Sequence, residues 1–455
     1  MPKKKTALTI EERLQQALVP AEEQPYEVPE NWVWVRLGAI AEIVTGGTPS
    51  KKQPEYYGGN FPFYKPSDLD QGRLTYDASE YLSEEGKKVS RIIPKNSTAV
   101  CCIGSIGKCG YLMCEGTTNQ QINSAIPKIN SLCLYYYLCT ENFVQNLLSM
   151  ASATTIAIVN KSKMESCAFP LPPLSEQQRI VERIEELFAK LDEAKERLQE
   201  VADSFAVRKA GILHKAFTGE LTKQWRRENG VSDESWEEKT IGEICSSLKY
   251  GTSKKSSDDG EVVVLRMGNL QNGEIDWSNL AYTSDEEDIK KYLLKSGDVL
   301  FNRTNSPELV GKTSIYRGEI PAIYAGYLIK LDYEKNIVVG DYLNYYLNSS
   351  KAKEYYMQVK TDGVSQSNIN AKKIGEFEIP LPTLPEQDEI VRLIDDLLAR
   401  ERAAQQAAEQ ALASIDLMKK SILARAFRGE LGTNKASEAS EASALELLKQ
   451  VLAEG

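Results

Sequence analysis

The sequence predicts an α+β protein with a pseudo-two-fold internal duplication: two α/β globular domains are separated by two long helices that form an antiparallel coiled coil. Three observations support this prediction. The segment 170–221 recurs without a gap as 380–431. Each copy carries apolar residues at alternating spacings of three and four. Each copy also follows a region of short strand-like runs bounded by Gly, Pro, Asn and Asp.

Composition limits the class of protein. The 455 residues allow about two to four domains, and fractions of 42% hydrophobic and 26% charged residues describe a soluble globular chain. No apolar run approaches the roughly 18 residues of a membrane span, and the polar N-terminus has no secretory signal. We therefore expect a cytoplasmic protein that does not contact a membrane.

Cysteine and histidine usage argues against metal chemistry. The eight cysteines include no Cys-x-x-Cys pair, and His214 is the single histidine of the sequence. Zinc knuckles, disulfide frameworks and histidine-based catalytic relays are therefore not expected. We predict that this chain has no metal-ligating residue and binds no cofactor.

The repeat sets the predicted domain boundaries. Glu176-Gln177 near the start of the first copy recurs as Glu386-Gln387 in the second. The C-terminal segment is rich in Ser, Ala and Glu and includes one short amphipathic helix. We predict an N-terminal extension (1–24), a first globular domain (25–168), a first long helix (169–222), a linker (223–234), a second globular domain (235–378), a second long helix (379–432) and a flexible C-terminal tail (433–455).

The helical segments have a coiled-coil seam, which Arg208 interrupts in the first helix and Glu401 in the second. Leu198 in one copy corresponds to Ala408 in the other, so large side chains would face small ones if the two helices packed together. The alternative is two amphipathic helices that each dock on their own domain. The predicted interface residues are Ile180, Ile184, Leu187, Leu191, Leu198, Val201, Phe205, Ile212, Ile390, Ile394, Leu397, Ala404, Ala408, Ala411, Ile415, Met418 and Ile422.

The sequence contains no recognisable catalytic motif. Gly311-Lys312-Thr313 resembles part of a phosphate-binding loop but has Ser306 where the motif requires glycine, and Gly107-Lys108 is followed by Cys109. No glycine-rich cofactor loop follows a strand, so a methyl-transfer site is not visible. We predict no catalytic residue in this chain.

One carboxylate pattern keeps an enzymatic alternative open. Two acidic clusters with a nearby lysine resemble those that Mg²⁺-dependent nucleases use. Both lie in charge-dense stretches, which are usually solvated faces. The residues are Asp77, Glu85 and Lys87 in the first domain and Asp276, Asp288 and Lys290 in the second.

Polar turn residues are the candidates for nucleic-acid contact. The net charge of -10 does not favour DNA binding, but reading base edges needs only a few Arg, Lys, Asn or Gln side chains. Each residue could instead be an ordinary turn residue that caps a strand. The candidates are Thr48, Ser50, Lys51, Lys52, Lys65, Ser67, Asp68, Ser105, Lys108, Asn119, Gln120 and Gln121, with Thr252, Lys254, Lys255, Arg266, Asn269, Asn302, Arg303, Thr304, Asn305, Ser365, Gln366, Ser367 and Asn368 in the second domain.

This arrangement resembles the specificity subunit of type I restriction-modification enzymes. The motif Ile/Phe-Pro-Leu-Pro-x-Leu-x-Glu-Gln occurs at 169–177 and 379–387, and each copy opens a heptad helix that closes with Ala-Phe-x-Gly-Glu-Leu. A Trp-x-x-x-x-Leu/Ile-Gly-x-Ile pattern opens each globular domain, at 32–40 and 236–244. Together these motifs extend over nearly all of 25–432.

The resemblance implies a non-catalytic subunit whose two target-recognition domains each read one half of a split double-stranded DNA sequence. It implies two modification subunits, which carry S-adenosylmethionine and methylate adenine, and restriction subunits that use ATP and Mg²⁺. Two alternatives from other classes are a self-sufficient Mg²⁺-dependent nuclease and a coiled-coil adaptor that does not contact DNA.

Overall fold

A computed structural model describes residues 9–152, 157–364, 366–435 and 444–454. The chain divides into two compact units. The first unit comprises Met1–Arg197 with Gln410–Gly455, and the second comprises Leu198–Glu409. Each unit therefore contains one globular domain together with part of each repeated helical segment.

The first half of the chain alternates short strands and short helices before a long helix. Its elements are α1 (Ile10–Ala17), β1 (Val33–Arg36), α2 (Leu37–Ile40), β2 (Ala41–Thr45), β3 (Tyr57–Tyr64), β4 (Glu80–Leu82), α3 (Glu84–Lys88), β5 (Thr98–Cys101), β6 (Cys109–Tyr111), β7 (Thr117–Thr118), β8 (Ile122–Pro127), α4 (Ser131–Leu138), α5 (Glu141–Met150), α6 (Lys161–Glu165), β9 (Ala168–Leu171) and α7 (Leu174–Asp203).

The second half repeats this pattern with additional short strands. Its elements are α8 (Phe205–Phe217), α9 (Lys223–Asn229), β10 (Glu237–Thr240), α10 (Ile241–Ile244), β11 (Cys245–Tyr250), β12 (Val262–Leu265), β13 (Leu270–Gln271), β14 (Glu274–Ile275), β15 (Tyr282–Thr283), α11 (Glu286–Tyr292), β16 (Val299–Asn302), β17 (Thr304–Asn305), β18 (Thr313–Ile315), β19 (Ala322–Tyr324), β20 (Leu328–Tyr333), α12 (Gly340–Leu347), α13 (Ser350–Val359), β21 (Thr361–Asp362), β22 (Ser367–Asn368), α14 (Ala371–Gly375), β23 (Glu378–Leu381), α15 (Leu384–Ala426) and α16 (Ala444–Glu454).

The two globular domains share one strand order. The first has a four-stranded sheet β2-β8-β5-β6 and a three-stranded sheet β4-β3-β7, in which β3 and β7 are parallel. The second has the sheets β11-β20-β16-β18 and β15-β12-β19, again with one parallel pair, β12 and β19. In both domains a pair of helices follows the last strand of the four-stranded sheet. The internal duplication and the α+β class predicted from the sequence are confirmed.

A two-stranded antiparallel ladder closes each domain. β1 pairs with β9, with Val33 opposite Leu171, and β10 pairs with β23, with Glu237 opposite Leu381. Each ladder joins the first strand of a domain to the strand that directly precedes α7 or α15. The start of each long helix is therefore fixed on the domain that comes before it.

The helical segments pair in the first unit. Ile180 and Ile184, near the start of α7, share a buried core with Phe427. Further along α7, Asp192 lies 2.5 Å from the ammonium group of Lys419. Residue numbers therefore rise along α7 as they fall along its partner, so the two segments run antiparallel.

The second unit has the same pairing. Leu213 and Ala216 of α8 share a buried core with Ile390 and Ile394 of α15, and Arg208 of α8 forms an ion pair with Glu401 of α15. The order is again antiparallel. The orientation predicted for the coiled coil is thus confirmed within each unit.

The buried seam drifts away from the predicted one. Ile180, Ile184, Ile390, Ile394, Ala408 and Ile415 are buried, but Val201 is 37% exposed, Met418 is 48% exposed and Ala404 is also exposed. Leu213, Leu398 and Leu423, which the heptad pattern did not predict, are buried. The reason is that a straight α-helix has 3.6 residues per turn, so an apolar stripe rotates relative to a strict seven-residue repeat. The remaining predicted seam residues, Leu187, Leu191, Leu198, Phe205, Ile212, Leu397, Ala411 and Ile422, are half-buried.

The prediction of a flexible tail is wrong for residues 444–454. These residues form α16, which packs against α1 of the N-terminal extension. Leu448 and Val451 are buried, and Arg13 of α1 donates a hydrogen bond of 2.8 Å to the carbonyl oxygen of Leu452. The amphipathic pattern was visible in the sequence, whereas its docking partner, more than 400 residues away, was not.

The repeated Glu-Gln motif connects three parts of the second unit. The carboxylate of Glu386 is fully buried and accepts hydrogen bonds of 2.7 Å from Thr222 and from Arg226. Gln387 accepts a hydrogen bond of 2.8 Å from the backbone N–H of Val339. The segment 223–234, predicted as a linker, therefore includes a helix, α9, that neutralises a buried charge.

The first unit satisfies its Glu-Gln motif with different partners. Glu176 accepts hydrogen bonds from the indole N–H of Trp32 (2.8 Å) and from the side chain of Asn434 (2.9 Å). Gln177 accepts a hydrogen bond of 3.1 Å from the backbone N–H of Asn130. Burial raises the pKa of Glu176, although the hydrogen bond from Trp32 opposes this shift. The motif thus has a structural role in both units.

Within the described ranges, no helix combines the length and the apolar character needed to cross a membrane.

Candidate nucleic-acid interface

A groove of about 810 Å³ opens at one end of the second globular domain, where β11, β12, β16 and β19 finish. Seven of the residues predicted from the sequence line it. They come from four separate segments of the chain that the fold brings together: the loops after β11 and β12, the end of β16 with β17, and β22. These residues are Thr252, Lys254, Lys255, Arg266, Arg303, Thr304 and Asn368.

Arg303 is held in position by an aromatic ring and a carbonyl group. Its guanidinium carbon lies 4.7 Å from the centroid of the Tyr250 ring, and its Nη1 donates a hydrogen bond of 3.3 Å to the carbonyl oxygen of Gly326. Its Nε is buried and has no acceptor among the described residues. A guanidinium has five N–H donors, so Arg303 retains donors for a ligand in the groove.

An acidic helix fixes the loop after β11. The hydroxyl group of Thr252 donates a hydrogen bond to Asp288 of α11, and the ammonium group of Lys254 lies 2.7 Å from Asp285. The hydrogen bond to Asp285 raises the pKa of Lys254. Lys255 is exposed and forms no ion pair with a described residue. Lys255 therefore offers a cation to the groove that no acidic neighbour compensates.

The carboxylates of the alternative nuclease pattern have other partners. Asp288 is buried and bonded to Thr252, and Asp276 accepts a hydrogen bond of 2.9 Å from the backbone N–H of Ser278. In the first domain Lys87 pairs with Glu115, and Glu85 pairs with Lys88. Over the part of the chain that the structure describes, no group of three or more His, Cys, Asp or Glu residues could hold a metal ion.

Several other candidates of the second domain hold turns or strands. Asn269 is buried and bonds to backbone groups of Arg266, Asp276 and Asn279. Asn302 is also buried and accepts a hydrogen bond from the backbone N–H of Thr304. The remaining candidates are Asn305, which bonds to the backbone of Ser306, Ser367, which is buried and bonds to Asp362, and Gln366, which is exposed; Ser365 lies outside the described residues.

The first domain gathers its candidate loops at the equivalent end. Glycine is required at 46, because a Cβ atom there would lie 2.1 Å from the carbonyl oxygen of Asn119. The Thr48 hydroxyl donates a hydrogen bond to Gln120, and Asn119 donates one of 3.0 Å to Gln121. The loops 46–52 and 119–121 therefore form one surface.

Other candidates of the first domain border this surface or stabilise it. Asp68 is buried and accepts a hydrogen bond of 2.7 Å from the backbone N–H of Lys65, so it holds a turn. Lys65 forms an ion pair with Glu80, and Lys108 forms one with Asp70. Ser50, Lys51, Lys52, Ser67 and Ser105 are exposed.

Equivalent backbone hydrogen bonds show that the loops of the two surfaces have the same backbone arrangement, which we call the backbone frame. In the first domain the N–H of Asn119 bonds to Tyr64 O, and that of Cys102 bonds to Gln121 O. In the second domain the N–H of Ala325 bonds to Leu265 O, and that of Arg303 bonds to Tyr327 O. Asn119, Gln121 and Cys102 thus correspond to Ala325, Tyr327 and Arg303.

Sequence reasoning missed the aromatic residues of the groove. Tyr327 lines the groove and is 49% exposed, and Tyr250 is 40% exposed beneath Arg303. Tyr327 follows a glycine directly before β20, so its signal in the sequence was an aromatic residue in a turn. A pattern of charged and polar turn residues does not include tyrosine, so that pattern could not mark Tyr327.

Comparisons with known proteins agree with the fold. A family model described as the type I restriction modification DNA specificity domain matches residues 29–203 and 233–411. The specificity subunit of the type I restriction enzyme EcoKI from Escherichia coli strain K12 is 25% identical over an alignment of 449 residues that covers 94% of this chain and 96% of that protein. The EcoBI specificity subunit of Escherichia coli is 27% identical over an alignment of 462 positions that covers 94% of this chain and 93% of that protein.

A solved structure has the same fold. The HsdS subunit from Thermoanaerobacter tengcongensis superposes with a TM-score of 0.64 at 19% identity, covering 90% of this chain and 99% of that one. At this identity the likeness concerns the fold alone. The family model, in contrast, matches well over half of the chain, in two separate copies. This chain therefore belongs to the type I restriction-modification DNA specificity family, whose domain it carries twice.

Proposed function

We propose that this chain is the non-catalytic subunit that selects the DNA sequence of a type I restriction-modification complex, with each globular domain reading one half of a bipartite double-stranded target. One observation carries the proposal: the two domains present different side chains on the same backbone frame. The backbone fold of a DNA-reading domain is thereby repeated, while the side chains that would contact base edges differ between the two domains.

The differences fall at the positions best placed for base contact. The loop Asn119-Gln120-Gln121 of the first domain corresponds to Ala325-Gly326-Tyr327 in the second. Amide side chains can pair with adenine, whereas an exposed tyrosine ring offers apolar contact. Arg303 takes the place of Cys102, and arginine is the side chain that most often bonds to guanine O6 and N7. We infer that the two half-sites differ in sequence.

The electrostatic balance fits a subunit that does not bind DNA alone. The chain has a net charge of -10, and Lys254 in the groove is paired with acidic groups. Phosphate contacts supply much of the affinity for DNA. We propose that two modification subunits, which carry S-adenosylmethionine, provide part of these contacts. Restriction subunits would add the chemistry that requires ATP and Mg²⁺.

The proposal is tested by exchanging one domain. Residues 25–168 are replaced by the matching region of a relative, and methylated sites are mapped by sequencing after the chain is combined with modification subunits. One half of the target should change while the other half stays the same. A matched chimera that exchanges 235–378 should change the opposite half. An unchanged target in both chimeras would refute the assignment of the globular domains as readers.

The non-catalytic part of the proposal has a separate test. Purified chain incubated with plasmid and Mg²⁺, or with S-adenosylmethionine, should neither cleave nor methylate DNA. Methylation should require the modification subunits and should be lost without this chain. Cleavage by the purified chain would favour the nuclease alternative. Site-specific methylation without this chain would favour the adaptor alternative.

A further inference from the structure

A second cleft, of about 410 Å³, lies in the second unit beside α8. Lys209, Lys312 and Lys353 line it, and burial lowers the pKa of Lys209. The charges of Arg402 and Lys353 lower this pKa further, so both cations lie close enough to repel the Lys209 ammonium group. The apolar part of the wall consists of Phe205, Ala206, Ala210, Leu213, Leu309, Val310, Leu347 and Tyr356.

The cations of this cleft lack acidic partners. Among the described residues, Lys209, Lys353 and Arg402 form no ion pair, and Lys312 donates a hydrogen bond of 2.9 Å to the neutral amide of Gln271. Glu308 also borders the cleft but is exposed and forms no ion pair there. Lys209 and Lys312 are half-buried, whereas Lys353 and Arg402 are exposed. A half-buried cation beside like charges and without a counter-charge is unfavourable, so this arrangement needs a reason.

The duplication supplies an internal comparison. Lys419 and Asp192 occupy, in the repeated helices, the positions of Lys209 and Arg402. In the first unit this pair is a salt bridge of 2.5 Å. In the second unit the aspartate is replaced by an arginine, so that an attractive pair has become a repulsive one. The cationic cluster is therefore not a consequence of the scaffold.

The helices α5 and α13, which occupy equivalent places in the two units, also differ in charge. α5 begins with Glu141, which lies 3.8 Å from Lys420. The equivalent helix, α13, begins with Ser350 and has Lys353 at its fourth position, where α5 has Val144. Ser350 thus removes a negative charge and Lys353 adds a positive one, while Lys420 of the first unit is replaced by the neutral Ala210.

We propose that this cleft binds one small phosphate-bearing anion per chain. A dianion would offset the repulsion around Lys209, and Ser350 places the N-terminus of the ten-residue helix α13 at the cleft, where N–H groups favour negative charge. The apolar wall suits an organic body attached to the phosphate. The volume is within the range of sites for small molecules, about 300 to 1,000 Å³.

The asymmetry decides against a protein partner that engages both repeats alike. Such a partner would meet Asp192 in one unit and Arg402 in the other, so no single acidic surface could satisfy both. A ligand bound once has no such restriction. The site is also independent of the DNA-reading proposal, because it stands on different residues.

Thermal unfolding of the full chain tests the proposal. Tm is measured in sodium phosphate, in adenosine 5′-monophosphate and in sodium chloride of equal ionic strength. Both phosphates, or inorganic phosphate alone, should raise Tm above its value in chloride. A larger effect of the nucleotide would support an organic ligand, and an equal effect would support recognition of the phosphate group only. An identical Tm in all three solutions would overturn the proposal.

Two variants and one control test whether the effect of phosphate on Tm arises at this cleft. Arg402→Asp restores the charge found at Asp192, so it should raise Tm in chloride and remove the response to phosphate. Lys209→Met should weaken phosphate binding by about tenfold or more. Lys419→Met, the matched change in the first unit, should leave the response intact. The proposal fails if the Arg402→Asp variant keeps the full Tm response to phosphate. It also fails if phosphate has no effect on the wild type and the Arg402→Asp variant instead binds unrelated duplex DNA more weakly, because the cluster would then contact DNA.

Discussion

Arg208 donates a hydrogen bond from its Nε to the carboxylate of Glu401, so the two polar residues that interrupt the predicted seams are partners of each other. Their side chains are 32% and 27% exposed. In the first unit the equivalent positions are Met418 and Leu191, an apolar pair. The equivalent positions of the duplicated helices therefore carry an ion pair in the second unit and two apolar side chains in the first.

This relationship predicts a non-additive pair of substitutions. Arg208→Met alone leaves Glu401 without its partner and should lower the free energy of unfolding by about 1 to 2 kcal/mol. The double variant Arg208→Met with Glu401→Leu copies the first unit and should recover most of that loss. Urea denaturation of the wild type, the two single variants Arg208→Met and Glu401→Leu, and the double variant measures the coupling free energy between the two side chains. Additive losses would show that the ion pair makes no specific contribution.

The docking of α16 can be tested by removing one buried side chain. Leu448 is fully buried in the core of the first unit, so Leu448→Ala should lower the free energy of unfolding by about 2 to 4 kcal/mol. It should also increase proteolysis of the C-terminal segment. Leu447→Ala, at a half-buried neighbouring position, is the control and should cost less. Equal effects of the two changes would argue against specific docking.

Asp332 predicts a loss of stability in acid. Burial opposes ionisation of its carboxyl group, but hydrogen bonds from Lys249, Lys330 and Ser247 lower its pKa to about 2. Because the folded pKa lies below the usual value of 3.8, the contribution is complete above about pH 4 and is lost as the pH falls toward 2. Allowing for solvent screening, the contribution is about 1 kcal/mol.

Asp332→Asn isolates this contribution. The variant should be less stable than wild type at pH 6, and the difference should shrink as the pH falls from 4 to 2. Unfolding free energies at several pH values measure it. A constant difference over this range would mean that Asp332 is not the titrating group.

The buried Glu386 predicts a large effect at a position that sequence reasoning placed in a linker. Arg226→Met removes the guanidinium from a fully buried carboxylate, and breaking a buried pair costs about 3 to 5 kcal/mol. Arg227→Met, at an exposed neighbouring position, should have little effect. The double variant Arg226→Met with Glu386→Gln should be more stable than Arg226→Met alone. A single variant as stable as wild type would contradict this account.

The fold was more predictable from the sequence than the site. The repeat and its periodicity determined the order of domains and the antiparallel helices, because both depend on short-range apolar patterns. The structural roles of Arg226 in the linker and of Leu448 in the tail were not predicted, since both depend on contacts with residues distant in the chain. The candidate site shows the same limit. The structure brings several of the predicted turn residues together at one end of each domain, and their contact with DNA stays a prediction. Asn269 and Arg303 could not be distinguished from the sequence, because only the structure shows that Asn269 bonds to the backbone of its own turn.

Arg303 is the position where the proposed reading of DNA can be tested most directly. Its guanidinium is held against Tyr250 and retains free donors within the groove. If those donors reach a guanine, Arg303→Ala should cost about 1 to 3 kcal/mol at one base position and relax the preference there. Lys255→Ala is the matched control, because an exposed lysine would contact phosphate and its loss should weaken binding to all sequences alike and reduce the salt dependence. Binding of the assembled methyltransferase to a set of duplexes with single base changes separates the two patterns. A uniform loss for Arg303→Ala would make Arg303 a backbone contact, and the base-reading role would then pass to the other side chains of the groove.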